Sequence, residues 1–447
     1  MTPKGASRNR GIPTSLRQLP AERGSIVRHV LTSLHGVTSL HGAAVRVRGA
    51  QPRPCQWARR PLAGACAETT VNQPSESGNC LLSAMSPFVL SAVQIVLGIA
   101  LLFGGGELFV AGSVALSLLL GIPQIVIGLT VVSLGTSAPE LFVSLISTIQ
   151  GNMGLAGADN LAVSNVVGSN IFNVLVVLGL SALVLPLRVQ SRLVRRDVPL
   201  LLGVSMAVWG MASTGKVTWQ SGAALLVVMV MNVIWEMRTA SEHPDEGDGI
   251  DGDEASSPQV AALKLAAGLA LLVGGSQLLV QGATAAALAL GVSTTVIGLT
   301  IVAAGTSMPE LITSVVAAYR GKADLAIGNV IGSNLLNQLL ILGVCALVSG
   351  GRGLGVDGVM IQRDLPIMVL TTLACLPIFW TGGVITRMEG GLLLFLYGAY
   401  LVEQLLLNLA PGFSDEFRLI ALVLVAPAVL IFFAWQMLSW REQRQRA

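Results

Sequence analysis

The stretch that decides the fold is Ile127-Gly-Leu-Thr-Val-Val-Ser-Leu-Gly-Thr-Ser-Ala-Pro-Glu140, because the chain contains it twice. A shift of 170 residues places it on Ile297-Gly-Leu-Thr-Ile-Val-Ala-Ala-Gly-Thr-Ser-Met-Pro-Glu310, with ten identities in fourteen positions. A second motif follows each copy, as Asn165-Val-Val-Gly-Ser-Asn-Ile-Phe-Asn173 and as Asn329-Val-Ile-Gly-Ser-Asn-Leu-Leu-Asn337. Two motifs in the same order in both halves indicate an internal repeat.

The composition excludes a water-soluble globule. Of 447 residues, 53% are hydrophobic and 11% charged, whereas a soluble domain carries about 25% charged residues. The five cysteines show no CxxC spacing and the four histidines are scattered, so neither a thiolate metal site nor a zinc or haem centre is indicated. The functional polar groups must therefore be oxygens.

From Met85 onward the apolar runs predict eleven membrane-spanning helices, numbered here as spans 1 to 11. They lie at 87–117, 126–149, 161–186, 198–213, 220–237, 259–288, 296–319, 325–349, 365–381, 388–408 and 419–440. Equivalent helices in the two halves are five spans apart. Because five is an odd number and each span reverses the direction of the chain, equivalent helices cross the membrane in opposite directions. We therefore predict an all-α membrane protein with two inverted five-helix repeats, 87–237 and 259–408, forming a ten-helix core, with an eleventh transmembrane helix at 419–440.

The segments outside the repeats carry opposite charge. Residues 1–84 hold 11 Lys and Arg against three acids and are rich in Arg, Pro, Gly and Ser, which predicts a basic N-terminal extension that is either disordered or not native to the working protein. We expect this extension to be dispensable, and a chain beginning at Met85 to keep its activity. Residues 238–258 form an acidic linker, with seven acids between Thr239 and Pro258.

The basic residues predict the orientation. With the start of span 1 outside, twelve Lys and Arg fall in inside segments and four in outside segments, as the preference of basic residues for cytoplasmic loops requires. For residues 85–447 we therefore expect the N-terminus outside, the C-terminus inside and the linker in the cytoplasm. The expected location is the plasma (inner) membrane, in a multi-pass arrangement, of a bacterial cell.

Glu140 and Glu310 lie inside long apolar runs, where an acid costs about 2.5 to 3.5 kcal/mol on insertion scales. A purely structural role, capping a helix broken by Pro139 or Pro309, does not account for the duplication. Each proline lacks an N–H and frees carbonyls of the preceding turn, at Gly135, Thr136, Gly305 and Thr306. Thr136 and Glu140, like Thr306 and Glu310, share a helical face at i,i+4 spacing.

The second motif adds hydroxyl and amide oxygens at the same spacing, as Ser169 with Asn173 and Ser333 with Asn337. Alone, Gly-Ser-Asn could serve helix packing, since small residues and Asn often join spanning helices. Beside two carboxylates, these oxygens suit Ca²⁺, which takes six to eight oxygen ligands, and they also suit Na⁺. Transition metals would require Cys or His.

The paired motifs resemble the alpha-repeats of the cation/calcium antiporter superfamily, which includes bacterial-type sodium/calcium exchangers. The resemblance covers about residues 87–408 and implies that spans 2, 3, 7 and 8 form the ion site while spans 1 and 6 rock across them. By position, the ligands of the family fall on Ser133, Thr136, Ser137, Glu140, Ser169, Asn173, Ala303, Thr306, Ser307, Glu310, Ser333 and Asn337. Ser133 and Ala303 would act through their main-chain carbonyls.

The chain departs from this pattern in three places. Asn337 stands where some relatives, including potassium-dependent ones, carry Asp, which argues against a potassium requirement and an extra proton-binding carboxylate. Ser164 replaces the glycine kept at Gly328, a change expected to affect packing. Span 11 lies outside the duplicated core.

The resulting functional prediction is a secondary antiporter that exchanges Ca²⁺ for Na⁺ by alternating access, with ions bound between Glu140 and Glu310. A Ca²⁺/H⁺ or other cation/H⁺ antiporter is the alternative, so H⁺ stays open as a counter-ion. A channel would need a continuous polar pore, and an intramembrane enzyme would need a nucleophile with a neighbouring base. We expect no enzymatic activity, no cofactor, and no partners beyond the lipid bilayer and inorganic cations, with neither nucleic acid nor an obligatory protein partner.

Four acidic features receive no role in the ion site. Glu107 corresponds to Gln277 in the other half and is expected at a helix interface. Glu236 and Glu403 lie near helix ends, where a solvated or snorkelling side chain is expected. The run Asp245 to Glu254 lacks EF-hand spacing and is expected to be solvated.

Overall fold

The computed structural model describes residues 87–155, 157–242 and 257–420, with part of 423–438. The basic segment 1–84 and most of the acidic linker lie outside the described residues. All described residues belong to one compact unit. The fold can therefore be compared with the predicted spans 1 to 10, while the predicted span 11 falls largely outside this part of the chain.

One or more helical segments occupy each of the first ten predicted positions. In the first repeat these are Pro87–Leu120 for span 1, Gln124–Thr136 and Ala138–Asn152 for span 2, Ala158–Phe172 continued by Asn173–Leu178 and Gly179–Val184 for span 3, Leu193–Asp197 and Val198–Ala212 for span 4, and Trp219–Glu242 for span 5. In the second repeat they are Pro258–Ala289 for span 6, Thr294–Ile297, Gly298–Val302, Ala303–Gly305 and Met308–Tyr319 for span 7, Ala323–Leu336, Asn337–Ile341 and Leu342–Ser349 for span 8, Met360–Asp364 and Leu365–Trp380 for span 9, and Arg387–Leu409 for span 10.

Seven of these helices, in spans 1, 3, 5, 6, 8, 9 and 10, are individually long and apolar enough to cross a membrane. The bent pair in span 2 makes an eighth crossing. This criterion counts eight crossings among the described residues, fewer than the ten predicted for the core, because spans 4 and 7 do not meet it. A further helix, Pro411–Ile420, precedes and overlaps the start of the predicted span 11.

Spans 1 and 6 pack along two glycine stripes with seven-residue spacing. A Cβ on Gly98 would lie 2.7 Å from the backbone nitrogen of Leu279, one on Gly105 would lie 2.8 Å from that of Leu272, and one on Gly112 would lie 2.8 Å from that of Leu265. Numbering rises along one helix as it falls along the other, so these equivalent helices run antiparallel. This is direct structural evidence that the repeat is inverted.

Two short antiparallel strand pairs join the repeats at their ends. Strand β1 (Leu187–Arg188), after span 3, pairs with β4 (Val384–Ile385), after span 9. Strand β2 (Lys216–Val217), after span 4, pairs with β3 (Leu354–Gly355), after span 8. The loops after spans 3 and 9 therefore meet at one end of the bundle, and those after spans 4 and 8 meet in a separate pair.

The prediction for Glu236 is wrong. Its side chain is buried, with 1% of the residue exposed, and it accepts hydrogen bonds from Arg192 and Arg196. Arg192 directly precedes span 4 and Arg196 belongs to its first turn. Two guanidinium groups compensate the buried charge, so the side chain does not need to reach water.

Candidate functional site

Spans 2 and 7 are interrupted at equivalent points, and each interruption places a glutamate at a helix start. The helix of span 2 ends at Thr136 and resumes at Ala138 after a bend of 47°; span 7 stops at Gly305 and resumes at Met308. Glu140 and Glu310 lie in the first turn of the resumed helices. Free backbone N–H groups at a helix start favour negative charge there.

The two glutamates meet through crossed hydrogen bonds between the repeats. Ser137 Oγ donates to Glu310 Oε1 at 3.0 Å, and Ser307 Oγ donates to Glu140 Oε1 at 3.1 Å. Both carboxylates are fully buried, with 0% of either residue exposed. The sequence-predicted pairing of the two Gly-Thr-Ser-x-Pro-Glu motifs is therefore present as side-chain contact.

Sequence reasoning assigned no role to Asn165 and Asn329, yet these residues hold the glutamate-bearing helices in place. Asn165 Nδ2 donates to the main-chain oxygen of Glu140 at 3.3 Å and to Ser144 Oγ at 3.0 Å. Asn329 Nδ2 makes the equivalent bonds to Glu310 and Ser314, at 3.3 and 2.9 Å. The signal for this role was present, because each asparagine opens the duplicated second motif.

The second motifs also meet across the repeat axis. Asn337 Nδ2 donates to Ser169 Oγ at 3.0 Å. Asn173 and Ser333 are fully buried as well. Thr136 Oγ1 lies 3.2 Å from Asn329 Oδ1.

Five oxygens of this cluster are buried and have no hydrogen-bond partner within the described residues. They are Glu140 Oε2, Glu310 Oε2, Asn173 Oδ1, Asn337 Oδ1 and Ser333 Oγ. Unpaired buried oxygens are costly, above all on carboxylates. Cations can satisfy such oxygens, and Ca²⁺ and Na⁺ prefer carboxylate, amide and hydroxyl oxygens of this kind. No group of three or more His, Cys, Asp or Glu was found in the described part of the chain, so the two glutamates supply the charge.

The two halves of the cluster are not equally enclosed. Ser133 and Thr136 are both 0% exposed. Their equivalents differ, because Ala303 is exposed and Thr306 only half-buried. The cluster is therefore closed on the side of the first half of span 2 and more open on the side of the first half of span 7.

Two antiparallel repeats that bring one carboxylate each to a buried, oxygen-lined site define a membrane carrier for cations. The sequence profile described as sodium/calcium exchanger protein matches residues 90–237 and 260–406, which coincide with the two repeats. The chain belongs to this family of membrane transporters and is not an enzyme.

Individual relatives agree with this assignment. The chain is 30% identical over 350 residues to the sodium/calcium exchanger MaX1 of Methanosarcina acetivorans, a match that covers 69% of this chain and 96% of that protein. It is 32% identical over 333 residues to the inner membrane protein YrbG of Escherichia coli strain K12, covering 72% and 100%. The structure matches that of the sodium-calcium exchanger NCX_Mj soaked with Na⁺ and Sr²⁺, with a TM-score of 0.60, 30% identity and coverage of 70% and 98%.

Proposed function

We propose that the protein exchanges Ca²⁺ for Na⁺ by alternating access, and that the ions bind between Glu140 and Glu310. The crossed serine–glutamate bonds carry this proposal, because they bring both carboxylates into one buried cluster. The names of MaX1 and NCX_Mj support Na⁺ and Ca²⁺ as the exchanged ions.

The coupling follows from the charge of the empty site. Two ionised carboxylates in a dry environment repel one another and resist transfer across the membrane. One Ca²⁺ or several Na⁺ neutralise them, so only the loaded forms reorient readily. This selection among forms produces exchange instead of leak.

Twelve residues form the proposed ion site. They are Ser133, Thr136, Ser137, Glu140, Ser169, Asn173, Ala303, Thr306, Ser307, Glu310, Ser333 and Asn337. The unpartnered oxygens of Glu140, Glu310, Asn173, Asn337 and Ser333 support direct ligation by these five. Ser137 and Ser307 hold the carboxylates through their hydroxyl groups.

We further propose an inner-membrane location with the start of span 1 outside. The distribution of basic residues supports this orientation, and the name of the relative YrbG supports the location. In this orientation the first half of span 7 lies in the outer half of the membrane, so the more open side of the site faces outward.

The test is uptake of radioactive Ca²⁺ by proteoliposomes containing the full chain and loaded with Na⁺, K⁺ or acid. We expect uptake with Na⁺ inside, and its loss to background in Glu140→Gln and in Glu310→Gln. Glu107→Gln is the matched control, because Glu107 lies outside the site on span 1, and it should keep uptake within a few fold of the original chain.

Three outcomes separate the alternatives. Uptake driven by internal acid and not by Na⁺ would replace Na⁺ by H⁺ as the counter-ion. Uptake without any counter-ion would indicate a channel. Full activity of either glutamine variant would remove that carboxylate from the mechanism.

A further inference from the structure

Ser276 on span 6 forms a hydrogen bond to span 7 at the point where span 7 is interrupted. The helix before the break ends at Gly305, and the next helix begins at Met308. In a regular helix the main-chain oxygen of Gly305 would accept from the N–H of residue 309, but that residue is Pro309 and has none. Ser276 Oγ donates to this oxygen instead. The proline therefore frees a carbonyl, and a serine of another span binds it.

This bond differs from those of other buried hydroxyl groups in the spanning helices. A serine or threonine inside a helix commonly bonds the carbonyl four residues earlier in its own helix, as Ser113 does to Phe109. Ser276 is 7% exposed and donates to a residue 29 positions away. A hydroxyl has one proton to donate, so this proton joins span 6 to span 7.

The break in span 2 lacks such a bond and is narrower. The position equivalent to Ser276 is Gly106, which has no side chain. In span 2 one residue, Ser137, separates the two helices, and its backbone N–H donates to Ser133 O at 3.0 Å. In span 7 two residues separate them, and the part of the chain that the structure describes contains no equivalent bond from the N–H of Ser307. Span 7 is therefore more strongly interrupted where the hydroxyl from span 6 binds it.

The two breaks also contact spans 1 and 6 differently. A Cβ on Gly305 would lie 2.3 Å from Val280 Cγ2 on span 6. The three atoms nearest to a Cβ on Gly135 belong to Phe109 and Leu269, and none belongs to the equivalent valine of span 1. The position of the break relative to spans 1 and 6 therefore differs between the enclosed half of the site and the open half.

We propose that Ser276 is a positioning residue for transport, whose hydroxyl holds the first half of span 7 away from the ion site until a cation binds. This role rests on the ion site of the proposed function, in which the carbonyl of Ala303 is a ligand. Ala303 is exposed, whereas its equivalent Ser133 is fully buried, so the first half of span 7 moves inward to match the enclosed half. The movement breaks the bond between Ser276 and Gly305, and the N–H of Ser307 then bonds Ala303 O as in span 2.

The bond stabilises the open arrangement, and ion binding has to overcome this stabilisation. A ligand that binds one of two conformations gains apparent affinity when the other conformation is destabilised. Without the hydroxyl, a cation should therefore bind more tightly and leave more slowly. One buried hydrogen bond between neutral groups corresponds to roughly three- to tenfold in such an equilibrium.

The test measures equilibrium binding of Ca²⁺ to the purified full chain in Na⁺-free detergent solution, and uptake by proteoliposomes at saturating Ca²⁺. Ser276→Ala should lower the Kd for Ca²⁺ by roughly three- to tenfold and slow uptake by a similar factor. Ser276→Thr, which keeps the hydroxyl, should retain the original Kd and rate. Ser113→Ala is the matched control, because that buried hydroxyl bonds its own helix, and it should change neither quantity.

Hydrogen exchange of the purified chain without ions gives a second readout, which does not depend on the identity of the carried cation. In Ser276→Ala the backbone N–H groups of residues 306–308 should exchange more slowly, because the closed arrangement bonds the N–H of Ser307. Loss of a merely structural contact would instead loosen this segment and make its exchange faster.

Two results would overturn this role for Ser276. The first is an unchanged or weaker affinity for Ca²⁺ in Ser276→Ala while the original chain binds and exchanges Ca²⁺, which would leave the proposed function intact. The second is faster hydrogen exchange at 306–308 in the same variant. An original chain that binds no Ca²⁺ would contradict the proposed function, and hydrogen exchange would still decide whether Ser276 holds span 7 open.

Discussion

The first half of span 2 and the first half of span 7 share most of their sequence but pack differently. A Cβ on Gly332 of span 8 would lie 2.6 Å from both the Cα and the carbonyl oxygen of Leu129 in span 2, and a Cβ on Gly328 would lie 3.1 Å from the Cα of Gly128. On the other side, the equivalent Gly168 of span 3 and Gly298 of span 7 meet nothing within 4 Å at their Cβ positions. The backbones of spans 2 and 8 therefore touch at this interface, whereas the equivalent interface between spans 3 and 7 is open.

The two repeats are therefore similar in sequence, but the structure is not symmetric, because only one of the two equivalent interfaces is closed. If both interfaces can close, the open one should close when the other opens, which gives two states with the ion site accessible from alternate sides. The following predictions test whether the two interfaces exchange roles.

The largest effect is expected for the glycines at the crossing points. Gly332→Ala places a methyl group against backbone atoms and should destabilise the closed interface by roughly 1 to 3 kcal/mol, lowering the melting temperature and abolishing most transport. Gly168→Ala meets open space in this conformation, so the melting temperature should stay unchanged. Transport should nevertheless fall by about tenfold, because the methyl group obstructs the state in which span 7 packs on span 3.

The two measurements distinguish obstruction from instability. The melting temperature of the purified chain reports the stability of the conformation in which spans 2 and 8 are in contact. The rate of Ca²⁺ uptake reports the complete transport cycle. Full uptake by Gly168→Ala would show that spans 3 and 7 never close as tightly as spans 2 and 8.

A smaller effect is expected at the position where the repeats differ. Gly328 lies in the closed interface, where its Cβ would be 2.8 Å from the carbonyl oxygen of Ile125. Ser164, its equivalent, donates its hydroxyl to Asn160 O at 2.8 Å and would enter the opposite interface on closure. Ser164→Gly should raise the rate of Ca²⁺ uptake by a few fold, and Gly328→Ser should lower both uptake and melting temperature. An unchanged rate in Ser164→Gly would mean that closure of span 7 on span 3 is not limiting.

The smallest effect is expected for an ion pair that joins the two repeats and whose equivalent positions carry no charge. Glu107 of span 1 accepts a hydrogen bond from Arg320 at the end of span 7, whereas the equivalent residues are Gln277 and Gln150. Both side chains are substantially exposed, so the pair contributes about 0.2 to 1 kcal/mol. Glu107→Gln should change uptake by less than about fivefold, and less at high salt. A larger change would assign the pair a dominant role in holding one state.

The sequence predicted the helices, the inversion and the meeting of the two glutamates, because each left a periodic or duplicated signal. Apolar runs predicted the spans. Equivalent helices are an odd number of spans apart, and this predicted that spans 1 and 6 run antiparallel. The paired Pro-Glu motifs gave the helix breaks, which appear at Ser137 and Ser307. That the twelve motif residues bind ions stays a prediction.

Other features lacked such a signal. The burial of Glu236 depends on Arg192 and Arg196 reaching it from span 4, a tertiary contact that local sequence does not encode. The two interfaces have nearly the same sequence but pack differently, so the sequence does not indicate which of them is closed. The part played by Asn165 and Asn329 was detectable in principle, since both are duplicated, but asparagine in a small-residue motif is also explained by packing.

The seven-residue spacing of Gly98, Gly105 and Gly112 limits how this gene can change. Substitution on the lipid side of span 1 leaves the stripe in place. One inserted or deleted residue between these glycines turns everything beyond it by about 100° around the helix axis, so side chains with a Cβ would replace glycine against span 6. We expect natural variation in this helix to occur by exchange of residues at constant length.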